Sequence, residues 1–326
     1  MADMLRFRRV NGECEPVTAR VDDAEFPAGE FLMARTVWLE DGATPAGREL
    51  RQHRPVGGDR RKDGDARLDN EILAGRRLHQ MAEWSGYPPQ LPRLYGDESA
   101  SADPYTLFEP YRGEPLRDVG AHLFDDEFDK FVTGLLTGLC WLAAVNIAHR
   151  AINPDTVLWD SDSVQITDLS RSAPFGTART PVGGTGAWVP RESRPDTCYG
   201  IVGPADDVWA AVRLIYFVRS RGEHLEDFGQ LADSGLAQMF NGLLGDVFGP
   251  PEGRPTASDL LEQGLRRPHL VPSLAGASKS LIKGRESFLV ARARKHPAAP
   301  VPAEFWDDVT WTASRRKATG AADGDG

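Results

Sequence analysis

The chain has 326 residues, of which 40% are hydrophobic and 26% charged, and its formal net charge is −10 at pH 7. These values are ordinary for a globular protein with a sizeable core, and the acidic balance argues against binding to nucleic acid or to an anionic membrane surface. Three widely spaced cysteines, Cys14, Cys140 and Cys198, fit neither a disulfide framework nor a zinc site. Without a signal-peptide core or a long apolar span, a cytoplasmic location is expected.

The first 125 residues predict short strands and one helix. Residues 1–50 carry turn signals and short β-prone runs, of which the clearest is 31–40, and a second run lies at 47–55. The polar, glycine-rich residues 55–67 predict an exposed loop. Apolar or small residues then recur at helical spacing and predict an amphipathic helix. They are Leu68, Ile72, Gly75, Leu78 and Ala82. Residues 104–116 predict a strand that runs into a turn.

The rest of the chain is predicted to be mainly helical. A long buried helix is expected where apolar residues follow a helical repeat. They are Phe128, Phe131, Val132, Leu135, Leu136, Leu139, Leu142 and Val145. The runs TVLW (156–159) and VQIT (164–167), joined by DSDS, predict a hairpin. A loop over 171–187 and helical segments at 205–218, 224–246 and 256–264 are expected to follow.

Five segments stand in an informative order. They are HRAINPDT (149–156), DLS (168–170), GTGAWVPRE (184–192), DDVWAAVRLIY (206–216) and RPTASDLL (254–261). In this order, with a hairpin between the first two, they resemble the C-terminal lobe of the eukaryotic-type Ser/Thr protein kinases. The chain resembles a degenerate, pseudokinase-like member of that superfamily.

This resemblance implies an α+β, bilobal protein-kinase-like fold, with a small β-rich N-lobe carrying one helix and a larger, mainly helical C-lobe. The chain would then divide into an N-terminal segment, an N-lobe, a C-lobe, and a C-terminal extension with a disordered tail. The corresponding ranges are 1–29, 30–110, 111–268 and 269–326.

No catalytic residue is expected to be intact. The resemblance assigns Ala151 to the position of the catalytic base, Asn153 to that of the catalytic-loop lysine, and Thr156 to that of a metal-binding asparagine. An alanine cannot accept a proton, and the threonine side chain is too short to reach a metal as asparagine does. Loss of a general base alone costs on the order of 10²–10⁴ in rate.

A nucleotide site is implied at five positions, which are Arg51, Glu71, Glu109, Tyr111 and Asp168. Asp168 would also be the metal ligand. Either Arg51 or His53 would take the place of the strand lysine that pairs with the helix glutamate, here Glu71. The implied ligand is ATP with Mg²⁺, bound weakly or not at all.

The resemblance also implies a structural frame. Glu192 and Arg254 would form an ion pair, and Asp207 would accept backbone N–H bonds from the turn at His149 and Arg150. The histidine is expected to pack as a structural residue because its carboxylate neighbour is missing.

The C-terminal extension carries a basic, weakly amphipathic helix at 278–297. A solvated basic face is the commoner explanation of such a helix, and the alternative is that it docks on a partner or on the acidic body of this chain. Aromatic residues at 303–311 would pack back on the domain or insert into a partner. A protein partner is therefore expected, through the kinase-like surface or through this extension.

Three functions fit the sequence. The first is a catalytically impaired pseudokinase that acts as a scaffold or regulatory binding module. The second is an active, divergent Ser/Thr kinase in which Asp155 or Asp160 supplies the base. The third is a sensor that binds ATP without turning it over.

Overall fold

The structure is a computed structural model that describes residues 2–40, 42, 47–82, 86–119, 123–183, 186–225, 230–231, 234–268 and 278–296. The start of the segment at 184–192, the aromatic segment 303–311 and the tail expected to be disordered lie outside these ranges. Within them, no helix combines the length and the apolar character that crossing a bilayer requires.

The N-terminal third is a closed antiparallel barrel. Its strands are β1 (Ala2–Arg9), β2 (Cys14–Val21), β3 (Phe26–Pro27), β4 (Leu32–Leu39), β5 (Arg48–Pro55), β6 (Leu94–Glu98) and β7 (Tyr105–Phe108). Six of them follow the order β2-β1-β6-β7-β5-β4, and a further pairing of β2 with β4 closes the ring. The short β3 is attached to the outside of this ring through β4.

Alternation along the strands fills the barrel. Alternate residues point to opposite faces of a strand, and the inward-facing residues form a core of their own. Its members are Phe7, Val17, Ala19, Val37, Leu39, Leu50, Tyr105 and Leu107. One polar side chain, Gln52, is also buried, and its Oε1 accepts a 2.6 Å hydrogen bond from Arg35 Nε.

The expected bilobal kinase-like fold is therefore wrong, and so is the assignment to that superfamily. In place of a small open sheet with one helix, the chain builds a closed six-stranded barrel followed by helices. Residues 1–29, which the resemblance implied to be a segment preceding the N-lobe, contain β1, β2 and β3, and β2 joins the two sheet edges where Ala19 faces Leu39. The dipeptide Asn11-Gly12 between two alternating runs was the sequence signal for this hairpin.

The predicted amphipathic helix is confirmed as α1 (Arg61–Ala82), although it begins inside the segment 55–67 that was expected to be a loop. This helix packs against the outer face of the barrel. A Cβ atom added to Gly75 would lie 2.6 Å from Leu94 Cβ on β6, so the close approach of helix to strand needs a glycine.

The helical half contains α2 (Leu116–Val119), α3 (Asp125–Ala144) and α4 (Asp206–Arg219). The long buried helix is confirmed as α3, and the predicted hairpin as β10 (Val157–Trp159) and β11 (Val164–Ile166), with β8 (Glu114–Pro115) beside β10. A two-residue pairing joins β9 (Ile147–Ala148) to β12 (Ala173–Pro174).

A continuous helix over 224–246 is not formed in the described part of that segment. It contains α5 (Leu236–Met239) and a 3₁₀ turn (Leu243–Asp246), each preceded by a glycine with positive φ, Gly235 and Gly242. Further on come α6 (Ala257–Asp259), a π-helical turn (Leu260–Gly264) and the C-terminal helix α7 (Lys279–Lys295). The main core joins Leu94 and Phe108 on the outer face of the barrel to α1, α3 and α4.

Candidate functional site

A cavity of about 610 Å³ lies between the outer face of the barrel and the helical half. The β3–β4 hairpin, β5, the segment 110–117 and the ends of the β10–β11 hairpin supply its walls. Its charged or titratable side chains are Glu49, Arg51, His53, Tyr111, Glu114, Arg117, Asp155 and Asp168.

A chain of hydrogen bonds runs from α1 into this cavity. Both carboxylate oxygens of Glu71 lie 3.0 Å from His53 Nδ1, and Thr106 Oγ1 donates to Glu71 Oε2 over 3.2 Å. On the other side of the ring, Arg51 Nε donates to His53 Nε2 over 3.0 Å. Because an arginine N–H can only donate, Nε2 must be the acceptor, which places the single ring proton on Nδ1, pointing at Glu71.

Arg51 and His53 differ in how they contact Glu71. The histidine contacts Glu71 directly, and the arginine contacts it only through the neutral ring. The imidazole is almost fully buried, with 2% of its side chain exposed, whereas Arg51 is half-buried at the cavity wall.

Two aromatic rings hold the guanidinium of Arg51. Its Cζ lies 4.6 Å from the ring centre of Phe26 and 4.7 Å from that of Tyr111, within cation–π distance of both. Burial raises the pKa of Tyr111 well above its usual range, and the carboxylate of Glu71 adds to this effect. Among the described residues, Nε is the only donor of Arg51 for which a hydrogen-bond partner is found, and no carboxylate pairs with its Nη atoms.

Asp168 lies at the opposite wall, where the β3–β4 hairpin comes close. It has a left-handed backbone (φ 59°), and its Oδ1 accepts a 3.2 Å hydrogen bond from Ser170 N. A Cβ atom on Gly29 would lie 3.2 Å from Asp168 Oδ2. Burial lowers the pKa of the nearby Arg67, as does the charge of Arg171, while Asp168 opposes both.

The described residues form no group of three His, Cys, Asp or Glu side chains suited to a metal ion. Asp168 therefore has no second and third ligand of these types beside it in the described part of the chain.

The segment 151–156 forms internal hydrogen bonds. Thr156 Oγ1 donates to the carbonyl of Ala151 over 2.7 Å, and Asn153 Nδ2 donates to the same carbonyl over 2.9 Å. Asn153 Oδ1 accepts from Asp155 N over 2.7 Å, and the Asp155 carboxylate lies 2.7 Å from Arg117 Nη1. The side chains at these positions thus stabilise the turn itself.

Asp160 and Glu109 are not among the residues that line this cavity. Asp160 accepts hydrogen bonds from the N–H and the hydroxyl of Ser163 and caps the turn of the β10–β11 hairpin. Glu109 lies 3.4 Å from Arg93 Nη1, and its own backbone N–H donates to the carbonyl of Arg93.

The residues expected to form a structural frame do come together. Arg254 contacts both carboxylate oxygens of Glu192, and 3% and 2% of the two side chains are exposed. Asp207 accepts from the backbone N–H groups of His149 and Arg150 over 2.7 and 2.6 Å. Burial raises the pKa of Asp207, although these hydrogen bonds and the nearby His149 oppose the rise.

Two contributors to the cavity were missed from the sequence. Phe26 lies in the segment 1–29, outside the expected N-lobe, and Arg117 follows a strand with no motif around it. The partner of Arg117, Asp155, was visible only as a possible base.

The sequence of this chain matches no known protein family and no curated protein.

Proposed function

We propose that this chain is a regulatory binding module that holds an anionic, ATP-like nucleotide in the cavity and does not transfer its phosphate. The observation that carries the proposal is the setting of Arg51, whose guanidinium donates through Nε to His53 and which lines a cavity of about 610 Å³.

The setting of Arg51 favours an anion. A guanidinium offers parallel N–H donors that match phosphate or carboxylate oxygens, and its affinity for them rises when its plane is fixed beforehand. Here the rings of Phe26 and Tyr111 and the bond to His53 fix that plane. Because the His53 ring lies between the two residues, Arg51 does not contact Glu71 directly, and its positive charge is not paired with that carboxylate.

The segment 151–156 argues against turnover. Ala151 has no side-chain proton acceptor, and the polar atoms of Asn153 and Thr156 are engaged in the turn. Asp155, the carboxylate of this segment, is paired with Arg117. Efficient proton abstraction needs a base that is within reach of the substrate and not already paired.

The test is ATP binding by isothermal titration calorimetry and by thermal shift, with and without Mg²⁺. We expect the wild-type chain to bind ATP, with about 2.7 kcal/mol of stabilisation when free ATP is 100 times Kd. Arg51→Met should weaken binding at least tenfold. Arg54→Met is the matched control, because Arg54 lies on the same strand but pairs with Glu25 and Asp103 away from the cavity.

Two results would overturn the proposal. One is the absence of any ATP response at millimolar concentration, which would leave a scaffold without a ligand. The other is phosphate transfer to the chain itself or to a generic acceptor, with Mg²⁺ or Mn²⁺, at ordinary phosphotransferase rates. Loss of such transfer in Asp155→Ala would then identify the base.

A further inference from the structure

The C-terminal helix α7 docks on the body of its own chain. It lies against α1 and against the turn between β1 and β2, and Phe288 is buried there with 1% of the residue exposed. The backbones meet at two glycines, since a Cβ atom on Gly284 would lie 2.2 Å from the carbonyl oxygen of Val10 and 2.8 Å from Gly12 N. Backbones this close can form only when α7 lies in direct contact with the turn between β1 and β2.

The end of α7 covers a buried carboxylate. The side chain of Asp69 on α1 is only 1% exposed, and Lys295 Nζ and His296 Nε2 lie 3.6 and 3.0 Å from its oxygens. Burial raises the pKa of Asp69, whereas Lys295, His296 and Arg292 act in the opposite direction. A buried carboxylate without a nearby cation destabilises the folded state. The last turn of α7 shields Asp69 from water and also supplies the positive charge that balances it.

The residues that follow Asp69 connect this contact to the cavity. Asn70 Nδ2 donates to the carbonyl of Ser170 over 2.9 Å, two residues after Asp168. Glu71 holds His53, which in turn orients Arg51. Three consecutive side chains of α1 thus contact three different elements: Asp69 contacts α7, Asn70 contacts the segment 168–171, and Glu71 contacts β5.

We propose that α7 is a positioning element for the cavity. When α7 is docked, it fixes the position of α1 on the barrel, and in that position Asn70 and Glu71 keep the Asp168 segment and Arg51 in their binding geometry. Docking of α7 and occupation of the cavity then favour each other, since a coupling free energy acts equally in both directions. The ligand side of this inference rests on the proposed function, but the link between α7 and the cavity walls does not.

The experiment uses the full chain and compares Gly284→Leu with Val290→Ala. The leucine cannot be accommodated against Val10, whereas Val290 is 56% exposed on the same helix and serves as the control. Hydrogen exchange is followed in α7, α1, β5 and residues 168–171, and ATP affinity is measured by calorimetry. Phe288→Asp is the second route to the undocked state, because it places a charge at a buried apolar position.

We expect both variants to release α7, to lower the protection of β5 and residues 168–171, and to weaken ATP binding about 5- to 150-fold, the usual span of coupling between sites. In the wild type, ATP should raise the protection of α7. Release of α7 with unchanged protection at β5 and 168–171 would overturn the inference, as would retention of α7 in both variants. If the wild type does not bind ATP, the proposed function fails, and the exchange data alone decide the link.

Discussion

Removing the charge of Arg254 should cost a large share of the stability of this protein. In Arg254→Met, both oxygens of Glu192 lose their partner in a place where only 2% of that side chain is exposed. Breaking a buried pair in this way costs about 3–5 kcal/mol, because the remaining carboxylate stays desolvated. Against a total free energy of unfolding of about 5–15 kcal/mol, such a loss is easily measured.

The assay is urea unfolding at pH 7.5, followed by circular dichroism. The matched control is Arg219→Met, because Arg219 lies 2.9 Å from Asp125 but the two side chains are 41% and 90% exposed. This exposed pair should contribute about 0–1 kcal/mol. Replacing both buried partners, in Arg254→Met with Glu192→Leu, should recover part of the loss. A cost below about 1 kcal/mol for Arg254→Met would refute the reasoning, since the pair would then contribute no more than an exposed one.

Two further predictions concern α1. Burial lowers the pKa of His79 from its ordinary 6.5 to about 4, so the folded chain keeps the ring neutral while the unfolded chain takes up a proton below pH 6.5. The free energy of unfolding should therefore fall by up to about 3 kcal/mol between pH 6.5 and 4. When it is measured by urea unfolding as a function of pH, it should fall less steeply in this range for His79→Gln, but not for the exposed His224→Gln. Gly75→Ala should lose about 1–2 kcal/mol in the same assay, because overpacking against Leu94 outweighs the gain in helix propensity; adding Leu94→Ala should recover only part of this loss, since alanine removes the nearby Cγ and Cδ2 but keeps the Cβ that lies closest. A more stable Gly75→Ala protein would contradict this account, as would an equally steep fall with pH for the two histidine variants.

The elements with strong local signals were predictable from the sequence. Helix α3 repeats its apolar residues over five turns, and the DSDS turn fixes the β10–β11 hairpin, so neither depends on distant partners. The closure of the barrel does depend on them. It rests on pairings such as Arg20 with Trp38 and Arg8 with Asp97, which join strands far apart in the sequence and which no local pattern specifies.

In the candidate site, too, some features could be predicted from the sequence and others could not. Glu71, Arg51 and Asp168 could be singled out by residue type and order, and all three lie at or beside one cavity. The contacts that decide their chemistry could not be read from the sequence. That a neutral His53 lies between the carboxylate of Glu71 and the guanidinium of Arg51 follows only from the directions of the hydrogen bonds, and the contact of Glu109 with Arg93 follows only from the fold.

Closing the sheet on itself also affects how the chain behaves toward other chains. The six ring strands have neighbours on both sides, so within the described barrel the unpaired N–H and C=O groups that let open sheets stack edge to edge are confined to the parts of β1 and β2 beyond their short pairings with β6 and β4, and to β3. That strand has two residues, and one of them, Pro27, has no N–H to donate. The N-terminal third should therefore resist strand-mediated aggregation at concentrations that would affect an open sheet of the same composition.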